Sequence, residues 1–299
     1  MGTFTSVPGP TRIIRISDIA WSVAVDAASQ KLAAHDGDDN AANTPSTTAA
    51  LSQETVNLAW AELRTAGIAR GDAITDAWLG AINLILSPDT LIRLTAEYNG
   101  LSGHSDLSIT GSRGACVYRR RTIETLPNGG TRITGRESGV EISLFNAAQF
   151  WGSAVRVLPP LEELRADAAN AGYVIGEDPV VVPSEVSAAL AAHLQQTPDD
   201  DGGLAAALTG LGAPAELTDV VVHQTASVTA TLETPADVRV LAWAGMWSLA
   251  NGQLYSIRAR ADEGAVTLTR VQPGHVAREL SFALVGAYDF AGSAQGSQA

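Results

Sequence analysis

Apolar residues recur at helical spacing in three segments near the beginning of the chain. The predicted helices cover residues 17–34, residues 52–66, and a segment that carries Trp78, Leu79, Ile82, Ile85 and Leu86. Ser17 or Asp18 is the expected N-cap of the first helix, and Gly67 the expected end of the second. Pro88 closes the third. The polar segment 35–50 buries little and is predicted to be a loop.

Beyond Pro88 the period changes from helical to alternating, which predicts strands. These strands cover residues 91–98, 115–122, 131–136 and 140–145, with residues 126–130 as a turn. A helix over 146–158 follows and ends at Pro159-Pro160. The first half of the chain therefore has helices, then strands, then a closing helix.

Similar residues recur at an offset of 126 positions, in both helical and extended segments. The pairs include Ile82 and Leu208, Pro88 and Pro214, Leu91 and Leu217, Arg113 and Arg239, and Val140 and Val266. One offset that persists across both kinds of segment favours an internal duplication. We therefore predict an α+β fold with a quasi-two-fold duplicated unit, in which a central antiparallel β-sheet is flanked by helical bundles.

The duplication predicts how the chain is divided. The expected parts are an N-terminal half over 1–160, a connection over 161–183, a C-terminal half over 184–288 and a disordered tail over 289–299. The tail is expected to be disordered because its residues are too small and polar to pack.

Composition and charge exclude several classes of protein. Acidic residues number 32 against 19 basic ones, and the formal net charge of −13 disfavours nucleic acid as a partner. A single cysteine, Cys116, allows no intramolecular disulfide. The sequence has no apolar run of membrane-spanning length and no recognisable secretory signal. We therefore expect a cytoplasmic location without stable membrane insertion.

Catalytic motifs are not evident in the sequence. No Gly-x-Ser-x-Gly segment is present, and Lys31, the only lysine, does not lie in a phosphate-binding loop. The five histidines form no pair with metal-ligand spacing, and His275 with Glu279 is more typical of a surface hydrogen bond. Cys116 is expected to be a small buried residue. We expect no catalytic residue, no metal and no cofactor.

The segment 238–249, VRVLAWAGMWSL, is apolar at both odd and even positions. A strand with one solvated face should alternate. Either helices cover both faces of this strand, or one face is exposed and binds a partner. In the second case the binding residues are expected to be Leu241, Trp243, Met246 and Trp247, enlarged by Tyr255 on the next strand.

The stretch 63–160 resembles the EspG family, the cytoplasmic chaperones of mycobacterial type VII secretion systems. The resemblance lies in Leu63-Arg-Thr-Ala-Gly67-Ile68, in Ala77-Trp78-Leu79 before a proline-bounded helix, and in the closing helix with Ala154-Val155-Arg156-Val157-Leu158-Pro159. Length, low lysine content and the quasi-repeated second half also agree, so that the resemblance covers roughly residues 12–288. The long polar segment 35–50 departs from the family pattern.

The resemblance implies a function without catalysis. Family members bind the hydrophobic helical tip of a secreted PE/PPE heterodimer, keep it soluble and deliver it for export. The family's contacts come from the central sheet and the C-terminal helical part, which here match 243–247, Tyr255 and a helix from His275 to Leu284 that includes Glu279. The expected partner is a PE/PPE-type heterodimer or a related helical substrate.

Two other hypotheses remain open at this point. One is a small-molecule-binding protein or enzyme with a pocket between the two halves, which would use His223, Cys116 or Arg121. The other is a scaffold in which the apolar strand forms a homodimer.

Overall fold

A computed structural model describes most of the chain. The described residues are 12–36, 48, 50–125, 131–170, 179–196, 203–236, 239–260 and 264–296. The helices are α1 (Asp18–Asp36), α2 (Gln53–Thr65), α3 (Asp76–Leu86), α4 (Phe150–Val157), α5 (Glu162–Arg165), α6 (Ser184–Gln196), α7 (Gly203–Gly210), α8 (Ala215–Val222) and α9 (His275–Gly296).

The strands are mostly longer than the sequence pattern predicts. They are β1 (Arg12–Ile16), β2 (Ala69–Arg70), β3 (Ala73–Ile74), β4 (Thr90–Tyr98), β5 (Leu101–Thr110), β6 (Arg113–Thr125), β7 (Thr131–Arg136), β8 (Val140–Asn146), β9 (Val180–Val182), β10 (Gln224–Ala236), β11 (Arg239–Ala250), β12 (Gln253–Arg260) and β13 (Ala265–Val271). The registered strand pairs are antiparallel. Together with the helices they confirm the predicted α+β class.

The chain divides into two compact units that are not contiguous in sequence. The described part of the first unit includes residues up to Ile92, Ser105–Arg119 and Glu137–Ala154. The second includes Arg93–His104, Arg120–Arg136 and the described residues from Val155 onward. The two units differ from the expected division into two contiguous halves near residue 160, since strands β4 to β6 each contribute residues to both units. The contiguous halves stay a prediction about ancestry.

In the first unit, helices α1, α2 and α3 share an apolar core with strands β1, β6 and β8. Leu63 and Ile82 are completely buried in this core. The strand order is β1-β8-β6-β5, and β2 and β3 form a separate hairpin. Ser17 caps α1 as predicted: its hydroxyl accepts the amide N–H of Ala20, while its own amide and hydroxyl both donate to the Glu62 carboxylate on α2.

In the second unit, strands β4, β10, β11, β12, β13 and β9 are neighbours in that order, and β7 pairs with the end of β6. A core between the strands and helices α6 to α8 is formed by Val182, Leu204, Leu208, Leu217 and Leu268. Helix α9 packs against β10 and β11. Helices therefore cover part of the surface of β12 and β13, the last two strands before α9.

Strand β5 was not predicted from the sequence. Its buried positions include Ser102, Ser105 and Ser108. Small hydroxyl residues are neutral in an apolar alternation pattern, so the period that identifies a half-buried strand is weak here. The strand forms because its neighbours on both sides supply backbone hydrogen-bond partners.

The offset of 126 residues agrees with the observed elements only in part. Arg113 and Arg239 each begin a strand, and Val140 and Val266 lie at the beginning of β8 and β13. After the paired prolines the elements differ, because Leu91 belongs to strand β4 whereas Leu217 belongs to helix α8. The internal duplication stays a prediction.

Three expectations concern segments at the boundary of the described residues. Helix α9 continues through Gly296, which corrects the disordered tail expected from residue 289. The turn predicted over 126–130 and most of the loop 35–50 lie outside the described residues. No described helix combines the length and the apolar character that crossing a membrane requires.

Two leucines on the same helix provide a test of the first core. Leu63 is completely buried, whereas Leu58 is 66% exposed. We expect Leu63→Ala to lower the free energy of unfolding by about 2–5 kcal/mol, because it removes buried methyl groups and leaves a cavity. Leu58→Ala should change it by less than about 0.5 kcal/mol. Urea denaturation would measure both, and equal effects would contradict the assignment of α2 in this core.

Candidate partner-binding surface

Strand β11 has an exposed face in its first half. Val240, Ala242, Ala244 and Met246 are all exposed, and we call these four residues the open face. Val240 is 63% exposed and Met246 is 40% exposed, which is high for large apolar side chains. Ala242 and Ala244 lie opposite Glu233 and Thr231 of β10, which are also exposed. Among the described residues, no helix therefore covers this side of the strand.

The opposite face of β11 meets the beginning of α9. Leu241, Trp243 and Gly245 are half-buried there, and Trp247 is only 1% exposed. The indole Nε1–H of Trp247 donates a hydrogen bond of 3.0 Å to Nδ1 of His275. Residues 247–250 are buried on both faces. The end of the strand is thus covered on both faces, whereas residues 240–246 leave one face exposed; that a partner binds there stays a prediction.

Gly245 makes room for two indole rings. A Cβ atom at this position would lie 2.6 Å from the Trp247 ring and 2.7 Å from the Trp243 ring. The two rings face each other across the glycine, with centroids 6.2 Å apart and planes tilted by 43°. A glycine in a strand interior weakens the strand, and here flanking aromatic rings cover it.

His275 is held in its neutral form by its surroundings. Burial lowers the pKa of His275 below its usual value, while Glu279 acts in the opposite direction and Arg278 and Arg258 act in the same direction as burial. Because Nδ1 accepts the Trp247 indole N–H, the ring proton belongs on Nε2, which lies 3.7 Å from the Glu279 carboxylate. Arg258 in turn donates to Glu279 at 2.7 Å.

Tyr255 has a structural contact of its own. Its side chain is buried, and its hydroxyl donates to the Asp219 carboxylate on α8 at 3.2 Å. Burial raises the pKa of Tyr255, and the negative charge of Asp219 raises it further. Asp219 also accepts from the side chain of Asn251 in the β11–β12 turn at 2.8 Å. Tyr255 therefore joins β12 to α8.

The residues predicted to bind a partner fall into two groups. Met246 is exposed, and Leu241 and Trp243 are half-buried at the same strand. Trp247, Tyr255 and His275 are buried, which corrects the expectation that they form part of an exposed surface. Glu279 is mostly buried and is bonded to Arg258. The second group makes contacts within the protein. Trp247 and His275 join β11 to α9, Tyr255 joins β12 to α8, and Glu279 joins α9 to β12.

Three residues of the open face were not predicted as site residues: Val240, Ala242 and Ala244. The prediction favoured the odd-numbered positions of the strand because they carry the aromatic residues Trp243 and Trp247, which are typical interface anchors. The exposure of the three residues follows from strand parity, once Trp247 is known to face inward. Helix α9 carries another apolar stripe that was missed: Phe282, Val285 and Tyr288 are exposed, while Leu280, Leu284 and Ala287 are buried. A spacing of three between the exposed residues could have indicated it.

The competing enzyme hypothesis names Cys116, which lies in strand β6. Cys116 is buried in β6, as the sequence predicts. In the described part of the chain, no group of three or more His, Cys, Asp or Glu side chains is arranged to hold a metal ion.

Comparisons with known proteins give one kind of match. No family model matches the sequence, and no curated protein matches it. The chain is similar to a solved structure, that of the Mycobacterium tuberculosis type VII secretion system chaperone EspG5 in complex with a PE25-PPE41 dimer. The sequence identity is 13%, the TM-score is 0.48, and the match covers 91% of this chain and 96% of that chain. EspG5 is a member of the family that the sequence resembles.

We expect Gly245→Ala to destabilise the protein by about 1–3 kcal/mol, because the added methyl group would displace both indole rings. Gly286 in α9 is the control, since a Cβ there would meet nothing within 4 Å. Gly286→Ala should be neutral or stabilising. Thermal unfolding, followed by near-ultraviolet circular dichroism of the tryptophans, would measure both changes. A neutral Gly245→Ala would contradict the packing around the two rings.

We expect the free energy of unfolding to fall with acidification because of His275. Below pH about 6.5 the unfolded chain protonates this histidine, while the folded chain does so only at lower pH. The contribution is thus fully present above pH about 6.5 and is lost as the pH falls through the folded pKa. Urea titrations at neutral and mildly acidic pH should show a smaller loss for His275→Gln. Parallel losses in the two proteins would contradict this assignment.

Proposed function

We propose that this chain is a cytoplasmic, type VII secretion-specific chaperone that binds the hydrophobic helical tip of a PE/PPE-type substrate. The observation that carries the proposal is the open face of β11, formed by Val240, Ala242, Ala244 and Met246. Four apolar side chains in a row on the solvent side of one strand favour a protein partner. The sequence resemblance over 63–160 supports the choice of partner. A PE25-PPE41 dimer is the kind of client meant, since it is what EspG5 is bound to in its solved structure.

The open face suits a binding role because it is apolar and belongs to a paired strand. The backbone of β11 is paired with β10 on one side, and the opposite face of β11 carries the packed rings of Trp243 and Trp247. A client tip that covers apolar surface would gain roughly 25 cal/mol for each Å² removed from water. The supporting residues Leu241, Trp243, Trp247, Tyr255, His275 and Glu279 would act by holding β11 in place.

The mechanism is one of covering and release, with no chemical step. Covering the client tip prevents its apolar side chains from aggregating, and the complex must still dissociate at the export machinery. Moderate affinity is therefore expected. An interface of roughly 800 Å² on each partner, with a few anchors such as Met246, is of the usual size for such complexes.

Affinity capture from the native cytosol, followed by mass spectrometry, tests the proposal. We expect the tagged chain to retain a PE–PPE pair in equal amounts. Recovery of the protein with no such pair, or with only a small-molecule ligand, would contradict it.

A charge placed on the open face tests the site itself. We expect Met246→Arg to reduce client binding by at least about tenfold, because the guanidinium would have to be desolvated in the interface. Leu58→Arg is the control, since Leu58 is exposed on α2 in the other unit. Both variants should keep the circular dichroism spectrum of the native protein. Unchanged client binding by Met246→Arg would remove the open face from the proposed interface.

A further inference from the structure

Strands β11 and β12 separate part of the way along their length. Their pairing extends from Ala250 and Gln253 to Met246 and Ile257, where it ends. Both strands continue: β11 stays paired with β10 as far as Arg239, and β12 stays paired with β13 as far as Arg260. Residues 240–245 of β11 therefore form an open edge inside the second unit, on the side that faces away from β10.

The direction of the backbone groups at this edge follows from the turn between the two strands. Asn251 and Gly252 both have positive φ angles, 49° and 75°, as in a two-residue type I′ hairpin turn. The flanking residues Ala250 and Gln253 then form a hydrogen-bonded pair. Hydrogen-bonded pairs recur at every second residue, so Ser248 and Met246 also point their N–H and C=O groups toward β12.

The same alternation continues along β11 and determines where the backbone groups of the next even-numbered residues point. Ala244, Ala242 and Val240 point their N–H and C=O groups to the open edge. Pro235 provides an independent check, because it lies opposite Val240 and has no N–H to donate. A proline fits only a pair whose hydrogen-bonding groups point away from each other. In the described residues, no strand is registered with these three residues on that edge.

We propose that this open edge of β11 accepts an extended segment of the client as an added β-strand, through the backbone groups of Val240, Ala242 and Ala244. The inference rests on the proposed function and deepens it, because it names a second element that the client must present beside its helical tip. An exposed strand edge is a template for pairing with another chain. A helix cannot occupy the edge, since its own backbone groups are already bonded to each other.

The side chains at the edge indicate the chemistry of the added segment. Val240, Ala242 and Ala244 are uncharged, and two of them are small, so they leave room for branched apolar or hydroxyl side chains beside them. The nearest acidic group on β10, Glu233, is bonded to Arg93 at 3.1 Å. A neutral, alternating segment fits this edge. A second copy of the chain fits it less well, since each copy carries a net charge of −13.

A synthetic peptide of alternating Thr and Val, with a Lys at each end for solubility, is the probe. We expect it to slow hydrogen exchange of the amides within 240–245 by about tenfold at saturation. A twin peptide, N-methylated at every Thr and Val amide, has the same charge and keeps no backbone N–H on either edge with which to pair as a strand. Equal protection by the twin, protection elsewhere only, or no protection would overturn the proposal.

Two variants make the test specific. Ala244→Pro removes an N–H that points to the open edge and leaves the bonds to β10 intact, so the variant should fold and lose peptide binding. Ala244→Val keeps that N–H and should bind the peptide. Binding by Ala244→Pro at the level of the native protein would overturn strand addition. Protection that rises with protein concentration in the absence of peptide would assign the edge to a second copy and overturn the assignment to a client.

Measurements with the captured PE–PPE pair distinguish a failure of strand addition from a failure of the proposed function. If the pair binds the native protein and Ala244→Pro equally, and leaves the edge amides unprotected, strand addition fails and the chaperone role stands. If the peptide adds to the edge but no PE–PPE pair is ever captured, the edge accepts strands while the proposed client is wrong.

Discussion

The hydrogen bond from the Trp247 indole to His275 is the interaction on which the proposed binding surface depends. It joins the beginning of α9 to the second half of β11, on the face of the strand that is covered. With the odd-numbered side held against the protein, Val240, Ala242, Ala244 and Met246 must face solvent, because side chains alternate along a strand. Gly245 is part of the same arrangement, since any larger residue would separate the two indole rings.

The geometry of β11 combines two properties that are seldom found together on an exposed strand. Its side chains offer an apolar surface, and no strand in the described part of the chain pairs with the backbone of residues 240–245 along the edge. A protein with both is at risk of aggregation, and such edges are normally covered or charged. The proposed chaperone role would make both features useful, because a bound client would cover them.

Several elements could be predicted from the sequence because their signals are local. Ser17 caps α1 and Gly67 ends α2 with a φ angle of 71°, as the helix signals predict. Strand β5 escaped prediction because serines occupy its buried positions. Leu91 and Leu217 correspond in the sequence offset but not in structure. A similar apolar pattern after a proline forms strand β4 in one case and helix α8 in the other. Neighbouring elements decide between them.

The sequence by itself determined the α+β class, the approximate boundaries of α1 and α2 and the apolar character of β11 at both parities, because these depend on composition and periodicity within a few residues. Only the tertiary structure decided that Trp247, Tyr255 and His275 are buried and that the small residues Ala242 and Ala244 are exposed. The physical reason is that burial depends on which element lies over a strand. His275 is 28 positions from Trp247, and no local pattern relates the two.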